Sequence, residues 1–281
     1  MKEVLLASFK SWFDHRSSTN AAALAFYTLF SMTPILMLAV AVAGYFFGAQ
    51  AAQGEIIGQI QGLVGPSGAQ AVQALLASAR NPVTGLVATI SAIVLLLVGM
   101  TSVFAELKDS LDGIWGEIRL GHSAVVTLLR TRLLAFGLVL VLAFLLLISL
   151  VISAALAMLE SYVGSIWGRS LLFLSSASSI ISFGVIVSLF AAIYKTLPDA
   201  PVAWRDAWVG AMFTAMLFSL GKYVIGLYLG NSDVASSFGA AGSIIALMLW
   251  VYYSAQIFFL GAEFTRQYAL SFGSLQNRRK Q

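Results

Sequence analysis

Long uncharged stretches separated by short charged ones dominate this chain. No Lys, Arg, Asp or Glu occurs within Ser17–Gly54, Asn81–Ala105, Leu133–Leu159, Ser170–Tyr194 or Val234–Ala262. A helix rising about 1.5 Å per residue needs roughly 20 apolar residues to cross about 30 Å of hydrocarbon, so each stretch can hold one span. Ala207–Gly221 is shorter, but the apolar run resumes after Lys222 and continues to Leu229, which predicts a further span containing one lysine. The stretches are rich in Leu, Ile, Val, Ala, Phe and Gly and lack the polar alternation of outer-membrane strands, so helices are predicted. The expected fold class is all-α: a polytopic membrane protein forming a single transmembrane domain over 1–281. Its six transmembrane helices are expected at approximately 21–47, 82–105, 133–158, 170–194, 207–229 and 240–262.

Short amphipathic pieces flank these spans. Leu5, Leu6, Phe9, Trp12 and Phe13 fall on one helical side, which predicts a cytoplasmic interfacial helix over 4–13. Ile56, Ile57, Ile60, Leu63 and Val64 recur at helical spacing, and Gly65-Pro66 breaks the run before a second helix. Periplasmic interfacial helices are therefore predicted over 55–80, and a basic cytoplasmic tail over 267–281. Ala41 and Ala43 before Gly44 resemble a signal-peptide cleavage site. The apolar stretch from Ala21 to Phe47 is too long for a signal-peptide core, so the first span is expected to stay uncleaved.

Composition narrows the class. Apolar residues make up 59% of the chain and charged ones 10%, against about 45–50% and about 25% in soluble proteins. This excludes a disordered chain and a cytosolic enzyme of normal make-up. The absence of cysteine excludes disulfides, thiolate nucleophiles and Cys-bound metal. With both termini cytoplasmic, thirteen of the sixteen cations lie on the cytoplasmic side, and only Arg80, Arg169 and Lys222 lie on or toward the other. Basic residues resist translocation, so this asymmetry sets orientation and requires an even number of spans. The net charge of +4 is then a topological bias and calls for no nucleic acid.

The remaining candidate chemistry lies in polar residues at membrane depth, where a charge costs a few kcal/mol or more. Lys222 either snorkels outward or faces a cavity that receives an anionic head group. Glu263 closes the last span, either paired with Arg266 one turn on or lining a path. Tyr252, Tyr253 and Gln256 give that span a polar aromatic stripe, suited to interhelical hydrogen bonding or to a substrate track. Asn20, Tyr27 and Ser31 share one face of the first span. Pro34 lacks an N–H, frees the carbonyl of Phe30 and marks a candidate kink or gate. Ser175, Ser176, Ser178, Ser179 and Ser182 favour close helix packing. Gly239 and Gly242, in FGAAGS before the last span, permit tight turns and are candidate gating positions. His15 and His122 have no partner at metal-ligand spacing, and no Walker, GxSxG or HExxH motif occurs. No cofactor, no metal and no enzymatic activity are expected.

Four blocks carry a resemblance: AAALAFYTLFSMTP (Ala21–Pro34), ELKDSLDGIWG (Glu106–Gly116), YKTLPDAPVAWRDAWVGA (Tyr194–Ala211) and SFGAAGSIIALMLWVYYSAQIFFLGAEFTR (Ser237–Arg266). In this order they resemble the signature blocks of the YihY/BrkB family of bacterial inner-membrane proteins, from about Phe13 to Ala269. Asp112 stands where that family usually has Asn, and Phe238 where Tyr is common. The resemblance implies six helices and an inner-membrane location. Members have been labelled ribonuclease BN, serum-resistance factor or lipid transporter. The ribonuclease label fails on these residues, since a metal-dependent nuclease needs clustered His and Asp ligands. The expected function is a transporter or flippase, not driven by ATP, for a lipid or other amphipathic anion. The alternative is a non-transporting scaffold or envelope-assembly factor. It would dock partners through the cytoplasmic segments carrying Asp112, Trp115, Lys195, Pro198, Asp199 and Trp204. Membrane lipids are the expected partners, with a homo-oligomer left open.

Overall fold

A computed structural model describes residues 1–79, 102–116, 170–231 and 241–276. The expected span 133–158, most of the span 82–105, His122, Gly239 and the last five residues of the tail lie outside the described residues. Among the described residues every regular element is helical: α1 (Lys2–Asp14), α2 (Ser17–Phe47), α3 (Ala49–Ala79), α4 (102–115), α5 (Ser170–Thr196), α6 (Trp204–Asn231) and α7 (Gly242–Ser271). Two stretches here are long and apolar enough to cross a membrane, Trp204–Leu227 and Gly242–Ser271.

The chain divides into two compact units. One comprises Met1–Ser8, Leu111–Met216 and Gly261–Gln281; the other comprises Phe9–Ser110 and Leu217–Leu260.

In the second unit the turns are tight. Arg16 joins α1 to α2 in the left-handed region (φ 52°), a conformation that costs a non-glycine residue roughly 1–2 kcal/mol. Its N–H donates to the carbonyl of Phe13, and its own carbonyl accepts from Thr19 and Asn20. Gly48 alone joins α2 to α3 (φ 86°), where a residue with a Cβ would be strained. With one linking residue, α3 must fold straight back, and it packs along α2. Val64, Ala71, Val72 and Leu76 of α3 form one core cluster with Leu247 of α7. Leu29, Met32 and Leu36, from the middle of α2, pack onto that cluster with Ile60, Trp250 and Val251.

α3 is itself two helices. Gly65 has φ 83° and ψ 177°, which no helix contains, and Pro66 restarts the second limb. Proline suits a first helical turn, where its missing N–H would be unpaired anyway. α2, by contrast, is helical through Pro34, so the backbone break in this part of the chain is at Gly65. Ser31 is buried and donates to the carbonyl of Thr28.

In the first unit, Val187 and Ala191 of α5 pack against Ala211 and Ala215 of α6, flanked by Phe183, Ile186 and Phe190. Small residues on the facing sides let the two backbones approach closely.

Candidate functional site

The most distinctive packing in the first unit comes from a repeated pentapeptide. α6 contains Gly-Ala-Met-Phe-Thr (Gly210–Thr214), and α7 contains Gly-Ala-Glu-Phe-Thr (Gly261–Thr265). Gly210 lies directly against Thr265, and Gly261 against Thr214, so that a Cβ on either glycine would collide with the opposing threonine. Each threonine hydroxyl turns back to the carbonyl of its own glycine, at 2.8 Å for Thr214 and 2.7 Å for Thr265. Phe213 and Phe264 stack with ring centroids 4.1 Å apart. Tyr194 of α5 is fully buried and shares a 3.0 Å hydrogen bond with Thr214. The middle position breaks the symmetry: Met212 is exposed on α6, whereas Glu263 on α7 is fully buried.

Other polar groups of this unit bind segments that follow helices. Asp206 is buried and accepts from Ser274 twice, from its N–H at 3.0 Å and its hydroxyl at 2.6 Å, which ties the turn after α7 to the start of α6. Asp112 of α4 accepts from the Asp199 N–H at 2.8 Å, and the Lys195 ammonium donates to the Val202 carbonyl. These bonds hold the buried Leu197, Pro198, Ala200 and Val202. Trp115 is buried, and its indole N–H has no hydrogen-bond partner among the described residues; Trp204 is exposed. The structure thus brings Asp112 together with Asp199, and Lys195 together with Val202.

The second unit contains a groove of about 330 Å³ walled by α1, α6 and α7. Its polar lining consists of Trp12, Tyr253 and Gln256; the rest is Phe9, Leu217, Leu220, Gly221, Val224, Ile257 and Leu260. Gly221 permits the groove, because it lies under the Tyr253 ring and Ile257 with no room for a Cβ. Successive helical residues are rotated by about 100°, so with Gly221 against α7, Lys222 turns away. It is exposed beside Tyr223 and Val224. Of the residues singled out from sequence, Tyr253 and Gln256 line the groove. Tyr252, Asn20 and Tyr27 are half-buried elsewhere in this unit, Ser31 is bonded within α2, and Gly242 is buried in the first turn of α7.

Asp206 and the two threonine–glycine contacts are new here, as is the place of Trp12 beside Tyr253 in the groove. The repeated pentapeptide is visible in the sequence once α6 and α7 are aligned. The Asp206–Ser274 pairing leaves no local signal.

Among the described residues, no three His, Cys, Asp or Glu side chains gather in a way that would hold a metal ion. At the acidic end of α4, burial and the neighbouring Asp109 raise the pKa of Glu106 above the usual carboxylate range, against a hydrogen bond from Ser110.

A family model described as "Virulence factor BrkB" matches residues 8–281. A UPF0761 membrane protein of Verminephrobacter eiseniae is 30% identical over 257 residues, covering 90% of this chain and 58% of the relative. Another from Albidiferax ferrireducens is 31% identical over 173 residues, covering 60% of this chain and 39% of the relative. The chain thus spans about half the length of these curated relatives. It is also 22% identical over 262 residues to YfkH of Bacillus subtilis, whose name likens it to a ribonuclease, covering 91% of both chains. No solved structure matches.

Proposed function

Since the chain belongs to the BrkB family of membrane proteins, we propose that it is a transporter or flippase, not driven by ATP, for a lipid or another amphipathic anion of the bacterial inner membrane. The observation that carries this reading is the break at Gly65. Each unsatisfied backbone group in hydrocarbon costs several kcal/mol, so non-helical backbone at membrane depth is tolerated only inside protein or beside a water-filled cavity. α3 breaks while its core residues on both sides of the break pack with the middle of α2. A re-entrant helical hairpin, entering from the periplasmic side, accounts for both facts. Broken helices of this kind build substrate sites in secondary transporters. The excess of cytoplasmic cations orients both termini inward. Lys222 stands exposed on α6, within snorkelling reach of an anionic head group. No enzymatic step and no cofactor enter the proposal.

The test is lipid movement in proteoliposomes carrying a head-group-labelled phospholipid and a membrane-impermeant quencher. The wild-type chain is expected to expose inner-leaflet label well above the rate of protein-free vesicles. Gly65→Ala is expected to slow this several-fold with insertion intact, because its strain is confined to a backbone of positive φ. Rates equal to those of empty vesicles would overturn transport.

A scaffold role draws on a different observation. The segment after α5 is pinned by Asp112 and Lys195 into a fixed shape that leaves Asp199, Pro201 and Trp204 exposed, as a docking surface would require. Stoichiometric capture of a partner, abolished by Asp112→Ala in a chain with no lipid flux, would favour it.

A further inference from the structure

We propose that the outward side of the second limb of α3, residues 66–79, lines a water-filled recess that opens to the periplasm and reaches membrane depth, with Gln70 and Gln73 on its wall. Amide side chains gather on this element. Of ten glutamines in the chain, six lie in α3, whereas α2, α5 and α6 contain none. Successive helical residues rotate by about 100°, so Gln70, Gln73, Ala74 and Ala77 share one side of the second limb, and all four are exposed. Val72 and Leu76 lie on the other side, buried in the cluster that packs Leu29, Met32 and Leu36 of α2.

That cluster sets the depth. Gln70 and Gln73 adjoin Ala71 and Val72 in sequence, so they lie within about 1.5 Å of the cluster's level along the limb. Leu36 is about 16 Å of helix from the end of α2 at Phe47. Helix faces turned to lipid look different: α2 exposes Phe26, Phe30 and Met37, and α6 exposes Leu220, Val224 and Leu227. Among its described side chains, the second limb of α3 exposes no large apolar one. An amide turned to hydrocarbon forfeits its hydrogen bonds to water and gains none in return. Pro66, the first residue after the break, is exposed on the same side as Gln70, so the broken backbone opens there too. Non-helical backbone at depth is tolerated beside water, and water satisfies the break and both amides together. The inference rests on the reading of α3 as a re-entrant hairpin. It offers the polar head group of a moved lipid water and amides in place of hydrocarbon.

The chain has no cysteine, so single cysteines report cleanly. The test places Gln70→Cys, Gln73→Cys, Gln50→Cys at the exposed start of α3, and Phe30→Cys on the exposed side of α2, each in the full chain in right-side-out membrane vesicles. Each is treated from outside with a small membrane-impermeant methanethiosulfonate or with a maleimide carried on a bulky polymer. Both reagents attack the thiolate, which forms in water and not in hydrocarbon. Gln70→Cys and Gln73→Cys are expected to react with the small reagent roughly tenfold faster than Phe30→Cys, or more. The polymer is expected to tag Gln50→Cys and to leave both unmodified. Two positions keep the test open should one variant fail to insert. Reaction at both no faster than at Phe30→Cys would mean that lipid or a second copy covers this side; it overturns the recess and leaves the hairpin standing. Polymer tagging of both as fast as of Gln50→Cys would put α3 on the membrane surface and overturn recess and hairpin together. A chain that has the recess but moves no lipid retains this inference and loses the transport reading; one that moves lipid with both positions shielded does the reverse.

Discussion

In the unit of Tyr194, Thr214 and Asp206, these three buried side chains find hydrogen-bond partners inside the chain, and the helices lock through small residues, although the Trp115 indole N–H of the same unit has no partner among the described residues. In the unit holding Gly65, the backbone breaks and a groove opens along α6. Hydrogen bonds satisfied at close range and close helix contacts fix a structure; a broken backbone and an open groove leave room for something else. Under the proposed function, the first unit serves architecture and the second lipid handling. Substitutions should therefore damage stability in one unit and function in the other.

The largest effect is expected at Gly261→Val. The added side chain meets Thr214 and the Tyr194 hydroxyl, and overpacking of this kind costs typically about 1–3 kcal/mol and sometimes more. Thermal unfolding in detergent should show a clear loss of Tm or of folded yield. A stable Gly261→Val chain would show that the α6–α7 contact is looser than described and would blur the contrast between units. Asp206→Ala comes next. Losing both bonds to Ser274 should cost about 1.5–3 kcal/mol and expose residues 272–276 to protease, measured as faster cleavage after α7. Unchanged cleavage would mean that the turn is held by other contacts.

The smallest effect concerns pH. Burial and Asp109 raise the Glu106 pKa. A carboxyl whose folded pKa is raised stabilises the fold while protonated, below its unfolded pKa of about 4.3, and loses that contribution as pH rises through the folded value. Glu106→Gln should thus raise Tm slightly at neutral pH and leave it unchanged near pH 4. A gain that is equal at both pH values would assign the effect to something other than ionisation.

The helical class and the position of the Gly65 break were legible in the sequence because both are local: an uncharged run long enough for a span, and a Gly-Pro pair inside an amphipathic run. The placement of 55–80 was less legible. Its apolar residues mark a buried face, but the one-residue turn at Gly48 decides that this face meets the middle of α2. Lys222 attracts attention by its charge, and its exposure follows from Gly221, whose size no charge pattern weighs. Asp206 and Ser274 are distant in sequence, so only tertiary structure joins them. The Gly-Ala-x-Phe-Thr repeat was in plain view but gains meaning only when two antiparallel helices place each glycine beneath the other's threonine.

Depth within the bilayer is the most direct test of the hairpin. The chain has no cysteine, and Gly54 and Gly62 are exposed helical positions of α3 where a side chain meets open space. Spin labels on Gly54→Cys and Gly62→Cys, compared for collision with oxygen and with a water-soluble nickel chelate, report depth. The account predicts that residue 62 lies about 12 Å deeper than residue 54, from eight residues of helix rise. Equal, water-level exposure at both positions would place α3 on the membrane surface and contradict it.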